Sequence, residues 1–225
     1  MKRFLAVTAV TASVAGMIFA AVPATAAAAK PQVKAYTDSW NSNLTGTGTE
    51  KGWYLRASYR SRVIRSPRLA FYVAVAHAAR QTDGEILKSS QQQYFTGGHD
   101  YTKDSGQPGW IRTTPTASQI RGYEKSTDIH IVIAKLFALP ALHRTGARHY
   151  HATDTVAQIS GLLSYSFGLP EDFFYFNQFT SFAVSFSTDA EGRPVSLAIT
   201  GTSSDMRLSI GDVFTYNRPL TIKAP

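Results

Sequence analysis

Phe182-Ala183-Val184-Ser185-Phe186-Ser187, then Asp189-Ala190-Glu191-Gly192, then Val195-Ser196-Leu197-Ala198-Ile199-Thr200 is the stretch on which the fold turns. Large apolar residues recur at every second position in both arms, with small or polar residues between them. That period places one set on one face of a strand, and the Asp…Gly connection is turn chemistry. The segment therefore reads as an antiparallel hairpin with one buried face. The pattern continues beyond it: Gly201 to Asp205 supplies a turn, and Met206, Leu208 and Ile210 alternate again. A closing strand from Val213 to Tyr216, and on to Ile222, completes a meander.

Upstream of the hairpin the spacing changes. Val156, Ile159, Leu162 and Leu163 share a face at spacings of three and four, and Gly168-Leu169-Pro170 ends the run, so a helix is expected from Thr155 to about Phe167. Ile129, Ile133, Leu136 and Phe137 follow Ser126-Thr127-Asp128 in the same way and stop before Pro140, which predicts another. Two short strands, His99 to Lys103 and Trp110 to Arg112, are read around the turn at Asp104-Ser105-Gly106. Leu69 to Ala79 suits a helix or a strand, with Leu69, Phe71, Val73 and Val75 on one parity and mostly alanine on the other. The turn signal Gln81-Thr82-Asp83-Gly84 favours a strand, with Glu85 to Phe95 returning as its partner. Trp53 to Ile64 mixes aromatics, Arg and Ser without helical spacing, and reads as a strand with Arg56, Arg60 and Arg62 on its wet face.

Residues 27–52 are polar and punctuated by Gly46, Gly48 and Gly52, which predicts a mobile lead-in. Ahead of them, Lys2-Arg3, an apolar run from Phe4 to Val22, and Ala24-Thr25-Ala26 have the three parts of a secretory signal peptide, 1–26. A retained membrane span is the competing reading; Ala, Thr, Ser and Gly dilute the run, and the cleavage site follows at once. The remainder, 53–225, is expected to be one domain, secreted to the cell envelope with no transmembrane anchor after cleavage.

The 225 residues carry 23 Lys+Arg against 15 Asp+Glu, a net charge of +8 that falls to +6 when Lys2 and Arg3 are cleaved away. No cysteine is present, which excludes disulfides and thiolate chemistry. With 13 Phe, 11 Tyr and 3 Trp, the chain has too much apolar mass for a disordered tail.

His143, His149 and His151 crowd one segment, and His149 and His151 would share a strand face as a metal site could use. No HExxH accompanies them, and exposed histidines on a strand are the favoured reading, so no metal or other cofactor is expected. Neither a GxSxG nor a phosphate-cradling glycine motif occurs, so an enzyme is not expected. Arg56, Arg60, Arg62, Arg65 and Arg68 lie close together and would suit an anionic envelope surface, or form an ordinary wet face. Nucleic acid is not an expected partner, because no motif for it is present. Phe167, Phe173, Phe174, Tyr175, Phe176, Phe179 and Phe182 concentrate apolar surface in one segment, as solid core or as a cavity for an acyl chain.

Four features in order carry a family resemblance: Tyr101 to Trp110; Gly146-Ala147-Arg148-His149-Tyr150 with Thr153-Asp154; Asp189-Ala190-Glu191-Gly192; and Arg218-Pro219-Leu220-Thr221-Ile222-Lys223-Ala224-Pro225. Across residues 85–225 the arrangement resembles the LolA-like fold, in particular the actinobacterial envelope proteins of the LppX/LprG group. The resemblance implies an α+β fold, an antiparallel sheet curved into a half-barrel and capped by helices, with an apolar cavity that holds acyl chains and does no chemistry. The lining would be drawn from Phe71, Val73, Val75, Phe182, Val184 and Phe186 on strands, with Ile133, Phe137, Ile159, Leu162 and Leu163 from helices. The chain departs from the group in two respects. Lys30 to Gly52 is a poor candidate for the group's N-terminal helix, and the cysteine on which many members are lipidated is missing, which suggests a freely released form. The expected function is a secreted, non-enzymatic carrier of a lipid or acylated ligand; the alternative is an envelope interaction protein binding anionic polymers through a basic strand face.

Overall fold

The computed structural model describes residues 32–46, 54–80, 84–154, 159, 162 and 179–225. In chain order the elements are β1 (Ala35–Gly46), β2 (Tyr54–Ile64), β3 (Ala70–Arg80), β4 (Ile86–Thr96), β5 (His99–Asp104), β6 (Ile111–Thr113), α1 (Ala117–Ser126), α2 (Ile129–Phe137), β7 (His143–Arg144), β8 (His149–Asp154), β9 (Ser181–Thr188), β10 (Pro194–Thr202) and β11 (Met206–Tyr216). The strands form one antiparallel sheet in the order β6-β5-β4-β3-β2-β1-β11-β10-β9-β8-β7. The sheet is open, and its edge strands are only three (β6) and two (β7) residues long. Edges that short offer little template for another chain.

Two expectations are corrected here. Residues 35–46 of the expected lead-in form β1, a central strand that pairs along its length with β2 and β11, Tyr36 standing opposite Val63 on one side and Tyr216 on the other. The domain therefore begins well before Trp53. The closing strand at Val213 is no separate element, because β11 runs unbroken from Met206 through Gly211 to Tyr216 and ends there rather than at Ile222. Leu69 to Ala79 takes the strand alternative: β3 pairs with β2 on one side and β4 on the other, so its alanines are flat floor between longer neighbours. The helix expected over Thr155 to Phe167 lies outside the described residues except for Ile159 and Leu162, which are helical and buried. Leu163, the aromatics from Phe167 to Phe176, and the stretch 1–26 expected to be a signal peptide lie outside them altogether.

Local chemistry explains where the elements start and turn. Thr116 caps α1 by accepting from the Gln119 backbone N–H at 3.3 Å while the Gln119 side chain accepts from the Thr116 N–H at 2.8 Å, a reciprocal pairing that satisfies two orphan donors. Asp128 caps α2 through the His130 N–H at 3.1 Å. Gly97 and Gly98, at φ +60° and +79°, form the two-residue connection between Thr96 and His99. Both positions require the left-handed region, which glycine enters without a Cβ penalty.

Both helices sit on one face of the sheet, called inner below. The ring of Tyr123, from α1, lies 5.2 Å from Phe71 and 5.3 Å from Phe95. Phe137, at the end of α2, lies 5.2 Å from Tyr150 and 5.3 Å from Phe186, near the opposite edge. Between them the Tyr36 hydroxyl donates to the Thr127 carbonyl at 2.8 Å. The two short helices thus contact both halves of the inner face.

Candidate functional site

Alternation decides what faces the helices, and the two halves of the inner face differ. On β9, β10 and β11 it is strict: Phe182, Val184, Phe186, Leu197, Ile199 and Leu208 point inward and are at most 3% exposed. Packing there is tight enough that a Cβ on Gly201 would lie 2.7 Å from the Phe182 ring. On β3 and β4 the inward set is Phe71, Val73, Val75, His77 and Ala79 against Phe95, Gln93, Gln91, Ser89 and Leu87. Phe71 and Phe95 are buried under Tyr123, but Val73 and Val75 keep part of their surface and Leu87 is 47% exposed.

The eleven residues expected to line a cavity divide accordingly. Phe71, Phe182, Val184, Phe186, Ile159 and Leu162 are buried with almost no accessible surface. Val73, Val75 and Ile133 are half-buried, and Phe137 is 41% exposed over the Tyr150 and Phe186 rings. Among the described residues, one space on the inner side lies at the α1 end. There a cleft of about 680 Å³ has Leu69, Phe95 and Ile120 among its apolar walls and Arg65, Arg68 and Glu124 also lining it. Arg65 is engaged, 3.7 Å from the Asp128 carboxylate and donating to the Glu124 carbonyl at 3.0 Å. The floor beside the cleft is stiffened by Asp100, which accepts from the Tyr123 hydroxyl at 2.7 Å and from Gln93 at 3.0 Å. Burial, and then that bond, push the Tyr123 phenol up to about 12.

A polar group at the centre of the inner face was not foreseen. Asp38 on β1 and Asp212 on β11 point inward from adjacent strands, 5% and 2% exposed, with Ser42 beside them at 0%. Among the described residues, one carboxylate oxygen of each and the Ser42 hydroxyl have no hydrogen-bond partner. Burial pushes Asp212 up to about 7, and burial together with the Asp212 charge holds Asp38 well above the usual carboxylate range. Buried Tyr36 and Tyr59 are raised by the same desolvation, and next by the nearness of Asp38. Two acids sharing one dry site hold on to protons. The signal was present in sequence as the period-two series Tyr36, Asp38, Ser42 and Leu44, hidden because two of these inward positions are polar.

The other face of the sheet, open to solvent, carries the predicted wet side of β2: Arg56, Arg60 and Arg62 are exposed while Leu55, Ala57, Ser61 and Val63 are buried. His149 and His151 also share it, and the His143 and His151 rings lie 5.4 Å apart. Among the described residues no group of three or more His, Cys, Asp or Glu is arranged to hold a metal ion.

No described protein family and no curated relative matches the chain. Among solved structures it is similar to a beta-barrel-like protein of a domain of unknown function, DUF1849, from Brucella abortus. The two are 10% identical over 83% of this chain and 98% of that one, with a TM-score of 0.17.

Proposed function

We propose that the chain is an exported, non-enzymatic carrier of an acyl-bearing ligand, held on the inner face under α1. The observation that carries this reading is the cleft of about 680 Å³ with Leu69, Phe95 and Ile120 among its walls, a volume within the usual range for small-molecule sites. Val73 and Val75 add partly exposed apolar surface farther along the same face of β3. Each acyl methylene moved there from water contributes about 0.8 kcal/mol. Arg68, exposed beside the cleft, would meet an anionic head group. An open eleven-stranded antiparallel sheet with helices on one face is compatible with a LolA-like half-barrel, and the leader-like 1–26 supports export.

Two measurements test it. Native mass spectrometry of detergent-free protein from a secreting host, with lipid extraction, should find co-purifying lipid; a clean mass unchanged by incubation with acyl lipids would defeat the reading. In a displacement assay with a fluorescent sixteen-carbon fatty acid, Ile120→Asp should weaken uptake at least tenfold while the far-UV circular dichroism stays as in the parent. Ile120 is half-buried on a helix without fully buried residues, so the fold should tolerate the change.

A further inference from the structure

The strand charges are largely sorted by sign across the sheet, with Arg144 on the edge strand β7 the exception. Every carboxylate carried by a strand, Asp38, Asp100, Asp104, Asp154 and Asp212, points inward by register. The open face instead presents Arg56, Arg60, Arg62, Lys88, Lys103 and Arg112. No carboxylate among the described residues lies within ion-pair distance of any of these six. Arg56 donates to the Asn43 amide oxygen at 3.3 Å and Arg112 meets His99 at 2.6 Å, and neither partner supplies a negative charge.

The surroundings of this basic row are equally specific. Arg56 to Arg62 extends about 20 Å along β2. On one side stand Thr37, Ser39, Asn41 and Asn43 of β1, a strip of hydroxyls and amides. On the other, Ala74, Ala76 and Ala78 of β3 leave a low floor. At the end of the floor the Tyr72 and Tyr94 rings lie 4.5 Å apart, and with Arg62 and Lys223 they line a recess of about 450 Å³. Trp110 packs edge-on against Tyr94 at 5.2 Å.

We infer that this face binds an acidic polysaccharide, independently of any ligand on the inner face. Arginines supply charge-assisted bonds to its acid groups, the β1 strip matches its hydroxyls, and the tyrosine pair offers a stacking surface for a sugar ring. A lipid bilayer is the poorer fit. The large apolar residues exposed on this face, Ile86 and Val213, stand singly on β4 and β11 rather than forming a wedge.

The test is isothermal titration of the full chain with polygalacturonate at 50 mM salt, with neutral dextran and phosphatidylglycerol vesicles as comparisons. Binding should be seen with polygalacturonate and not with dextran, and should weaken at least tenfold at 500 mM salt. Arg60→Ser with Arg62→Ser should weaken it at least tenfold. Arg121→Ser with Arg148→Ser, exposed positions on α1 and in the β7–β8 turn, removes the same charge elsewhere and should change it less than twofold. The inference is overturned if polygalacturonate does not bind, if dextran binds equally, if both double variants lose affinity alike, or if only the vesicles bind.

Discussion

The β9–β11 half and the β3–β4 half of the sheet share a length scale and a pairing pattern but not a burial pattern. In the first, inward and outward positions separate cleanly, and Val184 and Ile199 have no accessible surface. In the second, the inward positions of β3 other than Phe71 are half-buried, and their β4 neighbours are mostly Ser and Gln. The difference teaches that one half is closed by packing while the other keeps surface to offer, and the proposed binding site lies with the second.

The widest test of that contrast is a charge placed on the same face of each half. Val184→Asp should cost about 4–5 kcal/mol, because it buries an unpaired carboxylate and removes packed methyls. Val75→Asp should cost under about 1.5 kcal/mol, since its neighbours already share the site with water. Urea unfolding of both variants measures the gap, and equal losses would break the comparison.

Next in size is the junction between the halves. Asp212 keeps its proton in the folded chain up to about pH 7, whereas an unfolded aspartate releases it near pH 4. The folded state therefore binds the extra proton across that window, and the stability it lends below about pH 4 is lost as pH rises toward 7. Asp212→Asn should remove this decline and be more stable than the parent at pH 8 by on the order of 3 kcal/mol. Thermal melts of both proteins at pH 4 and pH 8 check the sign; an unchanged pH dependence would mean that Asp212 is ionised in the fold.

Gly201→Ala, at the tight contact with Phe182, should cost about 2 kcal/mol through displaced rings, read from its denaturation midpoint. The smallest effect is expected at Thr116→Ala, about 1 kcal/mol from the lost α1 cap. Hydrogen exchange should then quicken in β3–β5, under Tyr123, before it does in β9–β11.

β9, β10 and α2 were legible because alternation or helical spacing wrote their faces directly, whereas β3 to β6 were read from the turn signals that bracket them, β2 from its composition, and β8 as the strand carrying His149 and His151. The two failures at the centre have one cause. Asp38 hid β1, and Asp212 after Gly211 split β11 into two, because aspartate is rare inside strands and reads as loop or turn. α1 escaped because only Ile120 and Tyr123 give it an apolar side, although the Thr116 to Gln119 capping pair marked its start. Of the expected cavity residues, sequence placed the described ones on the covered side, but parity cannot distinguish a side chain facing space from one facing another side chain.

The pairing of β1 with β11 also sets an order of events. Lys34 and Asn217, joined at 2.8 Å, stand 183 residues apart in the chain. A ribosome releases β1 through β6 long before β11, so β1 waits with one edge bare while nearly the whole polypeptide is made. Contacts of such separation close slowly. The last-made strand acts as the key to the assembled sheet.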